Sequence, residues 1–472
     1  MAAEGRPAIE RLRAFLRELK PEARTLLTRE LERGLLRGDG MAGAEMVLAE
    51  LRRSGRDRDE SALHFGEPAR LFFRPIEPFV VDDAADRVHR GRIARAALEP
   101  IWLWINNALM PEEARAYGIQ VEEALGAGDT GAVEHLVRSF QDRVVRRIPE
   151  MLADVGRDDK ERRRLITQIG TPRALDDVKT VRGILDARDG LAVLGGKLPD
   201  HIRDLSGARM EAVKALIDSP LGAKSDLFLY SLVLLMGRLA APWQLIRLAT
   251  RAAGGDDVAR IAETPYALAV DIVLDEIERR VRELGADLKS GRGIAVGALL
   301  KDIHDAVRGL RTELDLSGES SWGRRLAATR AEISSLLSAE IELMPGRVRR
   351  LLRPRPANEI SGKTMLDPDE VAEAEALVGF VVACRNYAGE LAINEVTQRS
   401  FGELQKCLDT GTRTLLDALR TANVQERPFR QSQVDAAVRF CGKVFGQEYA
   451  ALLAKAAEVA FHGGERKTAA HG

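Results

Sequence analysis

The chain has 472 residues, with 71 basic and 72 acidic side chains and a net charge of −1. That balance supplies no global field for a polyanion, so nucleic acid is not an expected partner. Aromatic residues make up only 5% against 45% hydrophobic, so the core must be built from Leu, Ala, Val and Ile, which suits helices better than strands.

Near the N-terminus, Ile9, Leu12, Phe15, Leu16 and Leu19 recur at helical spacing. A second stripe (Leu26, Leu27, Leu31, Leu35, Leu36) follows Pro21, and a third short helix covers 41–53. Residues 1–53 therefore read as a helical unit. The charged, amphipathic N-terminus has no apolar signal core, and Cys384, Cys407 and Cys441 form no C-x-x-C. Free thiols in the cytoplasm are the expectation.

Residues 54–100 break the helical pattern with prolines and a cluster of Phe65, Phe72, Phe73 and Phe79. Within them, "ARLFF" and "PFVV" read as short extended pieces. Helices are expected over 92–109, 111–125, 130–154, 158–169, 173–187, 206–217, 225–252 and 256–262, with 189–207 as a Gly/Pro connection. Residues 101–262 would form one helical domain. Inside it, "LFLYSLVLLMGRLAAPWQLI" (Leu227 to Ile246) is long enough to span a bilayer. Arg238 near its centre costs about 2.5–3.5 kcal/mol there, so a helix buried in protein is the expected state.

Three heptad-like seams follow. Tyr266, Val270, Val273, Ile277, Val281, Leu284 and Leu288 make the first; Val296, Leu299, Ile303, Val307, Leu310 and Leu314 the second; Trp322, Leu326, Thr329, Ile333, Leu336, Glu340 and Met344 the third. With short connectors, they predict an antiparallel, coiled-coil-like three-helix bundle over 263–353, ended or kinked at Pro345-Gly346. A linker (354–368), a C-terminal helical unit (369–462, helices at 369–388, 390–422 and 430–461) and a frayed tail (463–472) complete the chain. The fold class is all-α: a multi-helix array of antiparallel hairpins plus a short Pro/aromatic-rich segment.

Catalytic signatures fail in turn. "ANEISGKTML" (Ala357 to Leu366) matches a phosphate loop loosely, but no strand precedes it and Pro368 interrupts the helix that must follow. It reads instead as a linker into a helix capped by Asp367, with Pro368 first and Asp369 and Glu370 in the first turn. "GRGIAVG" and "LGGKLPDH" lack a strand–helix frame and read as connections. No cofactor is expected.

Three groups of side chains stand out. Asp82, Asp83, Asp86 and His89 gather oxygen and imidazole donors in one loop; they are the weak metal or acid–base candidates, and a solvated capping loop is the blander reading. Arg347, Arg349, Arg350, Arg353 and Arg355 form the densest basic run, an anion-binding candidate without aromatics for base stacking. Phe72, Phe73, Arg74, Phe79, Trp102 and Trp104 are either a core plug or a docking patch for a protein partner. The expected function is a non-catalytic cytoplasmic scaffold or adaptor with protein partners, forming homo-oligomers through its long helices. The alternatives are a metal- or phosphate-dependent enzyme centred on 72–104, and a peripheral membrane protein acting through helix 227–246.

Overall fold

Helix accounts for 81% of the computed structural model, with 17 α-helices and almost no strand among the described residues. The structure describes residues 67–469, apart from 85, 172, 220–224, 290–292 and 361–363, together with positions 23, 27, 31 and 47. Most of the expected 1–53 unit lies outside the described residues. So do residues 54–66.

The chain divides into two units, one of Met1–Asp275 with Glu313–Asp315, the other of Glu276–Thr312 with Leu316–Gly472. The first contains α1 (Glu67–Phe73), a 3-10 turn (Arg74–Phe79), β1 (Val80–Val81), β2 (Ile93–Ala94), α2 (Arg95–Trp104) and a π turn (Ile105–Leu109). It continues with α3 (Pro111–Gly126), α4 (Thr130–Arg157), α5 (Asp159–Ile169), α6 (Ala174–Lys197), α7 (Gly207–Ile217) and α8 (Ser225–Arg238). A 3-10 turn (Pro242–Leu245), α9 (Ile246–Ala253) and α10 (Val258–Ala262) follow, and α11 (Ala267–Lys289) carries the chain past Asp275. β1 and β2 pair in parallel, with Val80 opposite Ile93 and Val81 opposite Ala94. The expected extended piece "ARLFF" is instead the body of α1, with Phe72 and Phe73 buried in the core.

Two helix boundaries differ from the periodicity reading. α6 runs through 189–197, where a connection was expected. Its glycines serve a close helix approach: a Cβ at Gly190 would stand 3.0 Å from Leu227 on α8, and one at Gly183 only 2.4 Å from Tyr230 Oη. The expected helix 225–252 breaks after Arg238, because Pro242 starts a 3-10 turn with no N–H to continue the ladder. Leu232, Val233, Leu235, Leu245 and Ile246 are all buried, and Arg238 donates to Leu198 O at 2.7 Å. Among the described residues, no helix is long and apolar enough to cross a membrane.

The second unit comprises the rest of α11, α12 (Gly293–Glu313) up to Thr312, α13 (Ser321–Leu351), α14 (Pro368–Tyr387), α15 (Asn394–Thr421), α16 (Arg427–Phe445) and α17 (Gln447–Ala469). Among the described side chains of the three predicted seams, all are buried except Leu288, Leu336 and Glu340, which are half-buried. On α13 the buried positions are Ile333, Leu337, Ile341 and Met344, so the apolar stripe steps past Glu340. Glu278 pairs with Arg325 at 2.5 Å, and Gly285 faces Leu336, so α11 and α13 run in the same direction. Beside these seams, Glu276 accepts from both Arg279 and Arg280 at 2.9 Å, and Arg280 reaches Asp302 on α12 at 2.8 Å.

Pro345-Gly346 does not end α13, which continues to Leu351 with Pro345 buried. The expected helix 430–461 is cut at Gly446, whose φ of +97° and extended ψ suit glycine alone and fold α17 back on α16. α17 extends to Ala469, through the stretch expected as a frayed tail, where Glu465, Arg466 and Lys467 favour helix despite two preceding glycines. Asp367 caps α14 by accepting from Asp369 N at 2.9 Å, with Pro368 in the first position, as the sequence predicts.

Candidate binding cleft

A cleft of about 1090 Å³ opens in the first unit. One wall comes from the end of α1 and the 3-10 turn, where Leu71, Arg74, Pro75, Pro78 and Phe79 face it. The two prolines fix φ and hold this short wall rigid. Opposite lie the start of α4 and the second half of α6. Gly128, at φ +69°, turns the chain between α3 and α4, and Asp129 caps α4 by accepting from Ala132 N at 2.9 Å. Gly131, Glu134, His135, Arg138 and Gln141 then present one face of α4; Arg188, Leu191, Ala192 and Gly195 present one face of α6. Leu234 and Arg238 of α8 close the end.

The cleft combines apolar wall with a basic rim. Arg74, Arg138, Arg188, Arg238 and His135 face Asp129, Glu134 and Asp189. Arg138 pairs with Asp189 at 2.5 Å, both ends more than half exposed. Arg188 bridges to Asp142 at 2.5 Å and donates to Leu185 O at 2.7 Å. Asp129 is engaged as a helix cap. Arg74, on the exposed rim, enters no ion pair among the described residues. Such a surface can hold an extended apolar segment carrying negative charge. The three cysteines lie in the other unit, where burial pushes the thiols of Cys384 and Cys407 up and that of Cys441 up to about 12.

The aromatic residues singled out in the sequence lie almost wholly inside. Phe72, Phe73, Phe79 and Trp104 are 0%, 2%, 1% and 4% exposed, which makes them core. Phe72 meets Phe73, Trp102 and Phe140 with ring centroids 5.0–5.5 Å apart, and Tyr117 stacks on Phe140 at 4.4 Å. Gln141 Nε2 donates to Phe72 O at 2.8 Å and Tyr117 Oη to Pro68 O at 2.8 Å, so the polar tips serve to lock α1 down. This plug is the floor under the cleft wall. Of the six residues, Arg74 and the edge of Phe79 line the cleft itself.

The acidic loop separates its members. Asp82 pairs with Arg95 at 2.7 Å and Asp86 with Arg87 at 3.8 Å. Asp83 accepts from Ala84 N at 2.8 Å and faces the His89 ring at 4.0 Å, while the other His89 nitrogen lies 3.1 Å from Ala84 O. Among the described residues, no group of three or more His, Cys, Asp or Glu could hold a metal ion.

The basic run is also divided. Arg347 pairs with Glu373, and Arg355 lies over the Phe429 ring at 5.2 Å. Arg350 is exposed on α13. Arg349 and Arg353 line a second, smaller cavity. The phosphate-loop-like stretch opens with a 3-10 turn, Ala357–Glu359, after the end of α13; its residues 361–363 lie outside the described residues.

Sequence reading missed His135, Arg138 and Arg188. The signal for them was spacing: 131, 134, 135 and 138, and 188, 191, 192 and 195, each fall on one helical face. No motif marks either set, and α6 was expected to end before its half began. The chain matches no family model, no curated protein and no solved structure.

Proposed function

We propose that this chain is a non-catalytic adaptor that takes an acidic, partly apolar segment of a partner protein into the cleft between α1, α4, α6 and α8. The observation that carries the reading is the lining: an apolar wall under four arginines, one of them without an ion-pair partner among the described residues. Its volume lies at the top of the range for small-molecule sites, which suits a peptide segment. Charge complementarity of this kind steers encounter and fixes register. Free, unbridged thiols at Cys384, Cys407 and Cys441 support a reducing compartment, the cytoplasm.

The test is capture from native lysate, read by intact-complex mass, with wild type beside Arg74→Glu/Arg138→Glu. The Arg138–Asp189 pair is exposed and worth at most about 1 kcal/mol, so the variant is expected to fold. A stoichiometric protein lost in the double variant supports the reading. A partner retained equally by the variant sinks it. So does a stoichiometric metal that disappears in His89→Ala, which would favour an enzyme at Asp82 to His89.

A further inference from the structure

In the second unit, a cleft of about 420 Å³ opens where the end of α13 meets α15. Arg349 and Arg353, four residues apart, enter from one side. Lys406, Thr410 and Thr414, each four apart on one face of α15, enter from the other. Leu352 packs close over Gly411, where a Cβ would stand 4.0 Å from its own. Arg349 and Cys407 both line the cleft. Arg353 and Lys406 are exposed and enter no ion pair among the described residues.

The end of a helix ordinarily repels an anion through its free carbonyls. Here Leu351 O, one of those carbonyls, and two carbonyls just beyond the helix are occupied. Gln433 Nε2 donates to Leu351 O at 3.2 Å and to Arg353 O at 3.0 Å, and Arg430 Nη2 donates to Arg355 O at 2.5 Å. Gln433 and Arg430 are themselves buried, so the segment bearing Arg353 is held in place from behind.

We infer that this cleft is a binding site for the phosphate group of a small phosphorylated ligand. Three cations face one carboxylate, Glu403. The surplus of two matches the charge of about −1.5 to −2 on a phosphate monoester at neutral pH. Guanidinium groups offer paired N–H donors to phosphate oxygens, and the ammonium group adds a mobile point charge. The volume lies in the small-molecule range, so the ligand is a soluble ester and not a polymer. The inference does not rest on the adaptor reading.

Cys407 supplies the readout. It is half-buried on the cleft wall, whereas Cys384 and Cys441 are buried. Maleimide labelling of the full chain is followed with inorganic phosphate or pyrophosphate, against sodium chloride at matched ionic strength. Phosphate is expected to slow Cys407 labelling saturably, at least tenfold, and chloride is not. Arg353→Gln and Lys406→Gln should each raise the phosphate midpoint about tenfold or more, the usual weight of a charge-assisted contact; Arg353→Lys should recover part of it. Lys406 is exposed, so its variant is expected to fold, which circular dichroism checks. Slowing that chloride reproduces, slowing that does not saturate, or a midpoint unchanged in both Gln variants would overturn the assignment.

Discussion

Replacing Gly183 with alanine tests whether the glycines of α6 are there for contact with α8. Alanine in a helix interior ordinarily gains about 1 kcal/mol over glycine. At this position the new Cβ would sit 2.4 Å from Tyr230 Oη and 3.1 Å from two ring carbons. Carbon atoms attract best at about 3.5–4.0 Å, so the ring must retreat by roughly 1 Å. It has little room: Tyr230 is 6% exposed and stands edge-on to Phe79, itself 1% exposed, with centroids 5.7 Å apart. Overpacking of this kind costs about 1–3 kcal/mol. At its upper end, set against the helix gain, it leaves Gly183→Ala less stable by about 1–2 kcal/mol, or about 2–8 °C in Tm for a body of this size. Calorimetry or circular dichroism melts read it. Two controls sharpen the result. Gly196→Ala, whose Cβ would meet nothing within 4 Å, should be neutral or stabilising. Tyr230→Phe in the Gly183→Ala background removes the 2.4 Å clash and should recover about half of the loss, because the Tyr230 Oη bond to Thr180 O is long at 3.4 Å. A Gly183→Ala protein as stable as wild type, or one that melts like Gly196→Ala, refutes the close-approach argument.

Other outcomes follow from the same kind of reasoning. Burial pushes the Asp177 carboxyl up to about 6. Between its ordinary value near 4 and that point, the folded chain holds a proton that the unfolded chain releases, so this group's contribution to stability falls as pH rises through that window. Asp177→Asn should flatten the decline in urea titrations between pH 4 and 7 and stabilise the protein at pH 7 by no more than about 3 kcal/mol; an unchanged pH profile rules the attribution out. Glu276 is 6% exposed and shared by Arg279 and Arg280, so Glu276→Ala removes a buried acceptor from both, leaving Arg279 with Glu283 and Arg280 with Asp302. Its cost should be about 1.5–3 kcal/mol in denaturant melts, the weight of a charge-assisted hydrogen bond, and a cost under 1 kcal/mol would show that water replaces the carboxylate. Gly446→Ala forces a side chain into φ +97° and should lose about 1–3 kcal/mol; a neutral result would mean that the α16–α17 turn relaxes freely.

The fold was legible because helical periodicity is strong and local. The seams of α11 to α13 and the cap of α14 at Asp367 depend only on residues a few positions apart. Several misreadings concern Gly and Pro, whose effect on a helix depends on what packs against them. Gly183, Gly190 and Gly195 lie inside α6 because α8 presses on that face, and Pro345 lies inside α13 because its ring is buried. Gly446 does break the chain, yet it sits in a stripe running smoothly from Val434 to Leu452. Nothing local separates a glycine that admits a neighbour from one that needs a positive φ. The candidate sites divide along the same line. Arg349 and Arg353 were visible as a charge run, but their facing residues, Lys406, Thr410 and Thr414, lie more than fifty positions away and became neighbours only through the packing of α13 on α15. In the first unit, charge and aromatic content drew attention to Phe72 through Trp104, where tertiary packing buries the rings and leaves Arg74 at the rim. The cleft wall they support is completed by α4 and α6, whose cleft-facing residues carry no unusual composition. A binding surface shared among ordinary amphipathic helices is therefore invisible until the helices are placed, whereas the core that shapes it is written in the apolar spacing of each one.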